Sequence, residues 1–311
     1  MRRTVPRGRG SARLLSAAAL TIGVAAWSTA APLAASPDDT TDTDTATTST
    51  TVPPPAVTPT TTPPPGPVVT LPPGPPANHV PVAPTATPLA AVGSSDGAET
   101  ERVQRRLIEL GFWLQNPNGN YELTTSQAVM AFQKYLGLEA NGSVDESTAA
   151  LLSAMELRAF GYADAGTLLE VDKTRQILLF VVDGRVQWVF NTSTGNGEAY
   201  AEEDQNTPGT VVEGVSLTPD GLHKVERERP VGWWEGDLGQ IYRPKYFVGG
   251  VAVHGSNSVP NYPASHGCVR VSTPAMDFIW ESGIMPMQLP VWVHQNPRQA
   301  FPSPDVVAAL P

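Results

Sequence analysis

Cysteine is all but missing from this chain: Cys268 is the only one in 311 residues. No intrachain disulfide can form, so a stapled scaffold is excluded. Metal signatures are missing too. There is no CxxC and no HExxH, and the His-x-Cys spacing at 266–268 suits chelation poorly, so neither a metal nor an organic cofactor is expected. Positive charge is scarce, with 20 Lys and Arg against 30 Asp and Glu and a formal net charge of −10. Arg2, Arg3, Arg7, Arg9 and Arg13 crowd the first residues, which leaves the remainder more acidic still. A polyanion of this kind repels phosphate backbones, and nucleic acid is excluded as a partner. The longest apolar run, Leu14 to Trp27, falls short of the roughly 20 residues that a membrane span requires.

What is present divides the chain into blocks. A basic stretch, an apolar run and small residues at Ser28-Thr29-Ala30 or Leu33-Ala34-Ala35 make 1–35 an export signal, or an uncleaved anchor, the one membrane contact expected. Residues 36–97 are rich in Thr and Pro and too poor in apolar side chains to offset ordering entropy, so a linker is expected. In polyproline II, at about 3.1 Å per residue, it would reach roughly 190 Å. From 98 to 158 a helical periodicity takes over. Val103, Leu107 and Leu110 share one face before Gly111, and Ala128, Val129, Phe132 and Leu136 share another before Gly137. Thr124 or Thr125 is a candidate cap for the second helix; Asp145 can cap a third that carries Leu151, Leu152 and Met155. The pattern is a small three-helix bundle. It resembles the peptidoglycan-binding domain of wall enzymes through Val103-Gln104-Arg105-Arg106-Leu107, Leu110-Gly111-Phe112, Ala128 to Gln133 and Asn141-Gly142-Ser143-Val144-Asp145. That resemblance implies glycan binding.

Beyond Thr167 the signal becomes β. Leu168–Val171, Gln176–Val182 and Val186–Asn191 read as strands, with Asp183-Gly184 as a hairpin turn between the last two. Thr210–Val215, Tyr246–His254 and Met287–His294 read as further strands. A single helix is expected from Pro274 to about Ser282, capped by Ser272 or Thr273 and stopped by Gly283. The expected class is thus multidomain: a helical bundle, then a mainly β, sandwich-like or barrel-like domain over 166–295, and a loose tail at 296–311. His79 falls in the linker, and His223 and His294 sit in no motif and read as surface or structural residues.

The chemistry gathers at Ser265-His266-Gly267-Cys268-Val269-Arg270. A lone exported thiol near imidazoles suits a nucleophile. At an ordinary pKa near 8.5 only a few per cent is thiolate at neutral pH, so a base is needed. His254 and His266 are both candidates, and their spacing does not choose between them. Gly267 removes a side chain beside the sulfur, which would let the Gly267 and Cys268 N–H groups face a developing oxyanion. The chemistry implied is acyl transfer through a thioester.

With His254-Gly255 upstream, Ser193-Thr194-Gly195 and Thr207-Pro208-Gly209 at turns, and the motif at 265–270, residues 168–294 resemble the L,D-transpeptidase catalytic domain. The resemblance implies Cys268 as nucleophile and His254 as base, with the Gly255 carbonyl orienting it. His266, Gly267 and Cys268 would shape the oxyanion pocket, and Ser265 and Arg270 would support the loop. It further implies an exported enzyme acting on peptidoglycan. Cys268 would attack the third residue of a tetrapeptide stem, release D-Ala and form a 3→3 cross-link, and carbapenems would acylate the thiol. An L,D-carboxypeptidase, with water as acceptor, and a non-catalytic wall-binding protein are the alternatives. Two departures stand out: the short spacer holding Pro260 and Pro263, and a charged, aromatic stretch at Leu222–Trp234 that matches no family pattern.

Overall fold

The computed structural model describes residues 78–295. The expected signal, the linker up to residue 77 and the expected tail lie outside the described residues.

Three helices come first: α1 (Ala98–Leu110), α2 (Leu123–Leu136) and α3 (Glu146–Ala154). Gly111 and Gly137 end α1 and α2 in the left-handed conformation, φ 98° and 70°. Asp145 accepts from Thr148 N at 2.7 Å and caps α3, an interaction worth about 1 kcal/mol. Neither candidate threonine caps α2. That helix starts earlier, with Glu122 at its N-cap and no side-chain bond there. The buried hydroxyl of Thr125 instead accepts from Gln104 Nε2 at 2.8 Å.

Residues 78–97, expected as linker, run along this helical unit. Val82 N donates to Glu156 O, Thr85 N to Ser153 O, and Gly93 pairs with Val144, while Leu89 is buried. Arg106, itself buried, donates to Ala83 O at 2.9 Å. Composition alone misses this strap because main-chain bonds to a distant segment fix it.

The β part follows in chain order: β1 (Leu168–Asp172), β2 (Ile177–Val182), β3 (Arg185–Asn191), β4 (Ala199–Glu203), β5 (Val211–Val215), β6 (Gly221–Lys224), β7 (Arg227–Glu228), β8 (Trp233–Gly236), β9 (Gly239–Val248), β10 (Val251–Ser256), β11 (Val269–Ser272), α4 (Thr273–Glu281) and β12 (Pro290–His294). One sheet has the order β3-β2-β1-β12-β6, with β1 and β12 parallel. A second runs β11-β10-β9-β7, with β8 also on β9, and β4-β5 stand apart as a hairpin. Asp183 and Gly184, at φ 48° and 74°, make the tight β2–β3 turn that their dipeptide predicts. Tyr246–His254 does not form the single strand expected. It breaks at Gly249-Gly250, so β9 folds back on β10 as an antiparallel pair.

The first sheet explains why its strands lack apolar–polar alternation. Ile177, Leu179 and Val181 of β2 join the core shared with the helices. Leu178 and Phe180 join a second core with Val253, Val269 and Val271 of the other sheet and Ile279 of α4. Successive side chains point to opposite faces, and both faces are covered. The helical unit therefore packs on the first sheet as a layer of one folded body.

Candidate active site

The site is built on the only parallel contact of the second sheet. β10 and β11 pair with Val253 opposite Val269 and His254 opposite Arg270. With a period of two, Val253, Val269 and Val271 face the core, and His254, Ser256, Cys268 and Arg270 face a cavity of about 640 Å³. The cavity lies within the usual range for ligand sites. The β9–β10 register slips beside His254. Lys245 pairs with Val253 and Tyr242 with Gly255, which leaves Arg243 and Pro244 opposite the single His254. Arg243 takes φ 47°, a bulged conformation of the kind that re-aims side chains beside functional sites.

His254 Nδ1 lies 2.9 Å from the Gly255 carbonyl. A carbonyl only accepts, so Nδ1 carries the hydrogen and Nε2 remains an acceptor. Burial pushes the His254 pKa down to about 4; the Gly255 carbonyl opposes this and the Arg270 charge adds to it. Cys268 is half-buried, and its sulfur accepts from Ala252 N at 3.4 Å. Burial raises its pKa, against the pull of Ala252 N–H and of Arg270. Both shifts favour the uncharged forms, thiol and neutral imidazole, over a thiolate–imidazolium pair.

His266 occupies the same cavity but is held elsewhere. Its Nε2 is 2.9 Å from Glu202 Oε1 of β4, and its ring packs edge-on against Tyr200. Gly267 has φ 137°, and a Cβ there would meet Leu217 O at 2.7 Å. Its N–H donates to Ser265 Oγ at 3.1 Å and so does not face the cavity as expected. Ser265 Oγ in turn donates to Cys268 O, and Ser265 N to Thr194 O. Thr218 Oγ1 accepts from Gly195 N and donates to Gly267 O at 2.6 Å, tying the Ser193-Thr194-Gly195 turn to the Cys268 loop. The Arg270 main chain pairs with Ser193.

Sequence reasoning left out the cavity's other wall. Tyr200 and Val212 of the β4–β5 hairpin and Gly236 to Ile241 of the β8–β9 hairpin line it, as does Arg227. Gln205 N donates to Asp237 O, and Asn206 Nδ2 to Asp237 Oδ1, each at 2.9 Å, which joins the two hairpin tips. Trp233 packs on Tyr242, and the Arg229 guanidinium stacks on Trp234. Arg229, Trp233 and Trp234 fall in the unmatched aromatic, charged stretch, and Val212 in the strand expected at Thr210–Val215.

His294 is buried and bonds Glu170, with Asp172 close by; their ligand atoms lie within 4.8 Å of one another. Glu170 also accepts from Tyr162 N and Ala163 N, and Asp172 from Arg175, so protein donors already engage these carboxylates. His223 bonds Pro219 O. Among the described residues no helix is long and apolar enough to cross a membrane.

Both parts of the chain match known protein families. The L,D-transpeptidase catalytic-domain family matches residues 166–293, and a peptidoglycan-binding-domain family matches 96–152. The crystal structure of an L,D-transpeptidase from Xylanimonas cellulosilytica is 42% identical, over 68% of this chain and 100% of that one, with a TM-score of 0.59. Structures of L,D-transpeptidases from Stackebrandtia nassauensis (20% identity, 70% and 100% covered, TM-score 0.37) and Mycobacterium smegmatis (20%, 42% and 59%, TM-score 0.31) are more distant. No curated protein sequence matches. The chain belongs to the L,D-transpeptidases, enzymes of peptidoglycan, and carries a peptidoglycan-binding domain ahead of the catalytic one.

Proposed function

We propose that this chain is an exported transpeptidase that forms 3→3 cross-links through a thioester on Cys268. The observation that carries the reading is the shared cavity face of His254, Cys268 and Arg270 on β10 and β11. Substrate enters with the carbonyl of the third stem residue against the sulfur. His254 Nε2 takes the thiol proton as the sulfur–carbon bond forms. The same proton passes to the departing nitrogen as D-Ala leaves. The side-chain amine of a second stem then attacks the thioester, loses its proton to His254, and restores the thiol as the amide forms.

A base with a pKa of about 4 is weak, and its protonated form is a strong acid. Burial therefore hinders the first proton transfer and favours the second, to the amine that leaves. The Arg270 charge adds to burial at His254, where it disfavours a lingering imidazolium, and opposes burial at Cys268, where it stabilises negative sulfur. Gly255 fixes the tautomer, and Ser265 and Gly267 hold the loop. His266 shapes the pocket from the side of the β4–β5 hairpin. Arg227 and Arg270 line the cavity against the single carboxylate of Asp237, an excess of positive charge within an acidic chain that suits a stem peptide bearing carboxylates. The helical unit binds glycan, and the linker spans the distance between membrane and wall. No cofactor takes part. Carbapenems acylate the same sulfur.

The test is incubation of the protein with defined tetrapeptide muropeptides, with products identified by mass. Cross-linked dimers with loss of D-Ala support the reading. Tripeptides without dimers make the protein an L,D-carboxypeptidase, and absence of any product makes it a wall-binding protein. The Cys268→Ala variant is expected to give no product, and intact mass is expected to show one carbapenem adduct on the wild type and none on the variant.

A further inference from the structure

Lys134 lies on α2 of the helical unit and is buried. Among the described residues it has no carboxylate partner. Its ammonium donates to three main-chain carbonyls of the catalytic domain: Thr192 O at 2.9 Å, Gln176 O at 3.2 Å and Pro260 O at 3.4 Å. Burial lowers its pKa to about 7. A buried lysine is costly, so one spent wholly on carbonyls of a neighbouring domain marks a specific junction.

The three acceptors lie at the end of β3, before β2, and within the segment that leads from β10 to the nucleophile. Other bonds surround the same segment. Gln127 Nε2 of α2 donates to Val259 O at 3.4 Å, Asn191 Nδ2 to Val259 O at 3.1 Å, and Asn261 Nδ2 to Ala140 O of the helical unit at 2.9 Å. From Thr192 the path to the sulfur is short. Thr192 Oγ1 donates to Arg270 O at 2.7 Å. Ser193 Oγ donates to Tyr262 O at 2.8 Å and accepts from Ala264 N at 3.0 Å, one residue before Ser265.

We infer that the helical unit, through Lys134, positions the Val259–Cys268 segment for acyl transfer, so that Lys134 is a positioning residue of the catalytic domain. This rests on Cys268 being the nucleophile. The short spacer with its two prolines fits this role, because a segment fixed from outside needs little structure of its own. An ammonium reaches three acceptors at once, and neutral isosteres cannot.

Two rates on the full-length protein test it, for wild type, Lys134→Met, Lys134→Arg and Asn261→Ala. One is acylation of Cys268 by a carbapenem, followed by intact mass, which requires the oxyanion geometry. The other is alkylation by iodoacetamide, which requires only the thiolate. Lys134→Met is expected to lower acylation and kcat by about 10- to 100-fold, with KM and alkylation within about twofold of wild type. Lys134→Arg is expected to recover part of the loss. Asn261→Ala, at an exposed position on the same segment, is expected to lower acylation by about two- to fivefold and decides the matter should Lys134→Met fail to fold. Acylation within twofold of wild type in folded Lys134→Met, or acylation and alkylation falling together, would overturn the inference and leave the nucleophile assignment intact. A wild-type protein that takes up no carbapenem would instead overturn the assignment itself.

Discussion

The two walls of the cavity are built differently. The wall that carries the sulfur, β10 and β11, is mostly buried, and it is fastened by main-chain bonds to Ser193 and Thr194 and by the Thr218 hydroxyl on Gly267 O. The opposite wall, the β4–β5 hairpin and the β8–β9 tip, is largely exposed. Beyond the pairing within each hairpin and the Gln205 N–Asp237 O bond, a few side-chain contacts hold it: Glu202 to His266, Asn206 to Asp237 and Arg229 over Trp234. Reaction geometry tolerates errors of well under 1 Å, whereas a substrate must enter and leave. The rigid wall is suited to bond making and the exposed wall to admission and selection. Substitutions on the first should then act on kcat, and substitutions on the second on KM.

The sharpest way to break this contrast is at His254. His254→Ala is expected to lower kcat/KM for tetrapeptide turnover by about 10²- to 10⁴-fold, chiefly in kcat. Its companion measurement is the pH dependence of Cys268 alkylation. Because burial raises the thiol pKa, the thiolate fraction at neutral pH is smaller than that of a free thiol and grows as pH rises through the raised value. The alkylation midpoint is therefore expected above that of a small-molecule thiol run alongside. A midpoint below it would mean a standing ion pair with His254 and would reverse the direction that burial imposes on the thiol. A smaller effect is expected at Gly267. An alanine there must adopt φ 137° and press on Leu217 O, so Gly267→Ala is expected to cost roughly 1–3 kcal/mol in denaturant unfolding and to lower acylation by about tenfold. Wild-type stability and rate in that variant would show that the loop has slack.

What the sequence disclosed was what is local. The Asp183-Gly184 turn, the Asp145 cap and the Ser272 cap of α4, which accepts from Ala275 N, each depend on a few neighbouring residues. The run from Ser265 to Arg270 is equally local, and all of it but Val269 lines the cavity with His254. Features that depend on distant partners were not legible. β6 and β7 are short and exist because β12 and β9 pair with them. Residues 78–97 carry linker composition, yet distant main-chain groups fix them. Lys134 reads as a helix-surface lysine until the catalytic sheet covers it. The direction of the Gly267 N–H and the engagement of His266 with Glu202 follow from loop closure, which spacing does not encode.

The gentlest probe acts on the exposed wall, at Glu202. Its carboxylate meets His266 at the mouth of the cavity and is about half exposed, so the contact is screened by solvent and worth at most about 1 kcal/mol. Glu202→Gln keeps a hydrogen-bonding group and removes the charge, whereas Glu202→Ala removes both. If this hairpin serves admission, both variants should leave kcat and the iodoacetamide rate of Cys268 unchanged. KM for the stem peptide should rise by about two- to fivefold in Glu202→Ala and less in Glu202→Gln. A fall in kcat with unchanged KM in either variant would mean that His266 must be held by Glu202 for bond making itself. The division between a chemical wall and an admitting wall would then give way to a single coupled site.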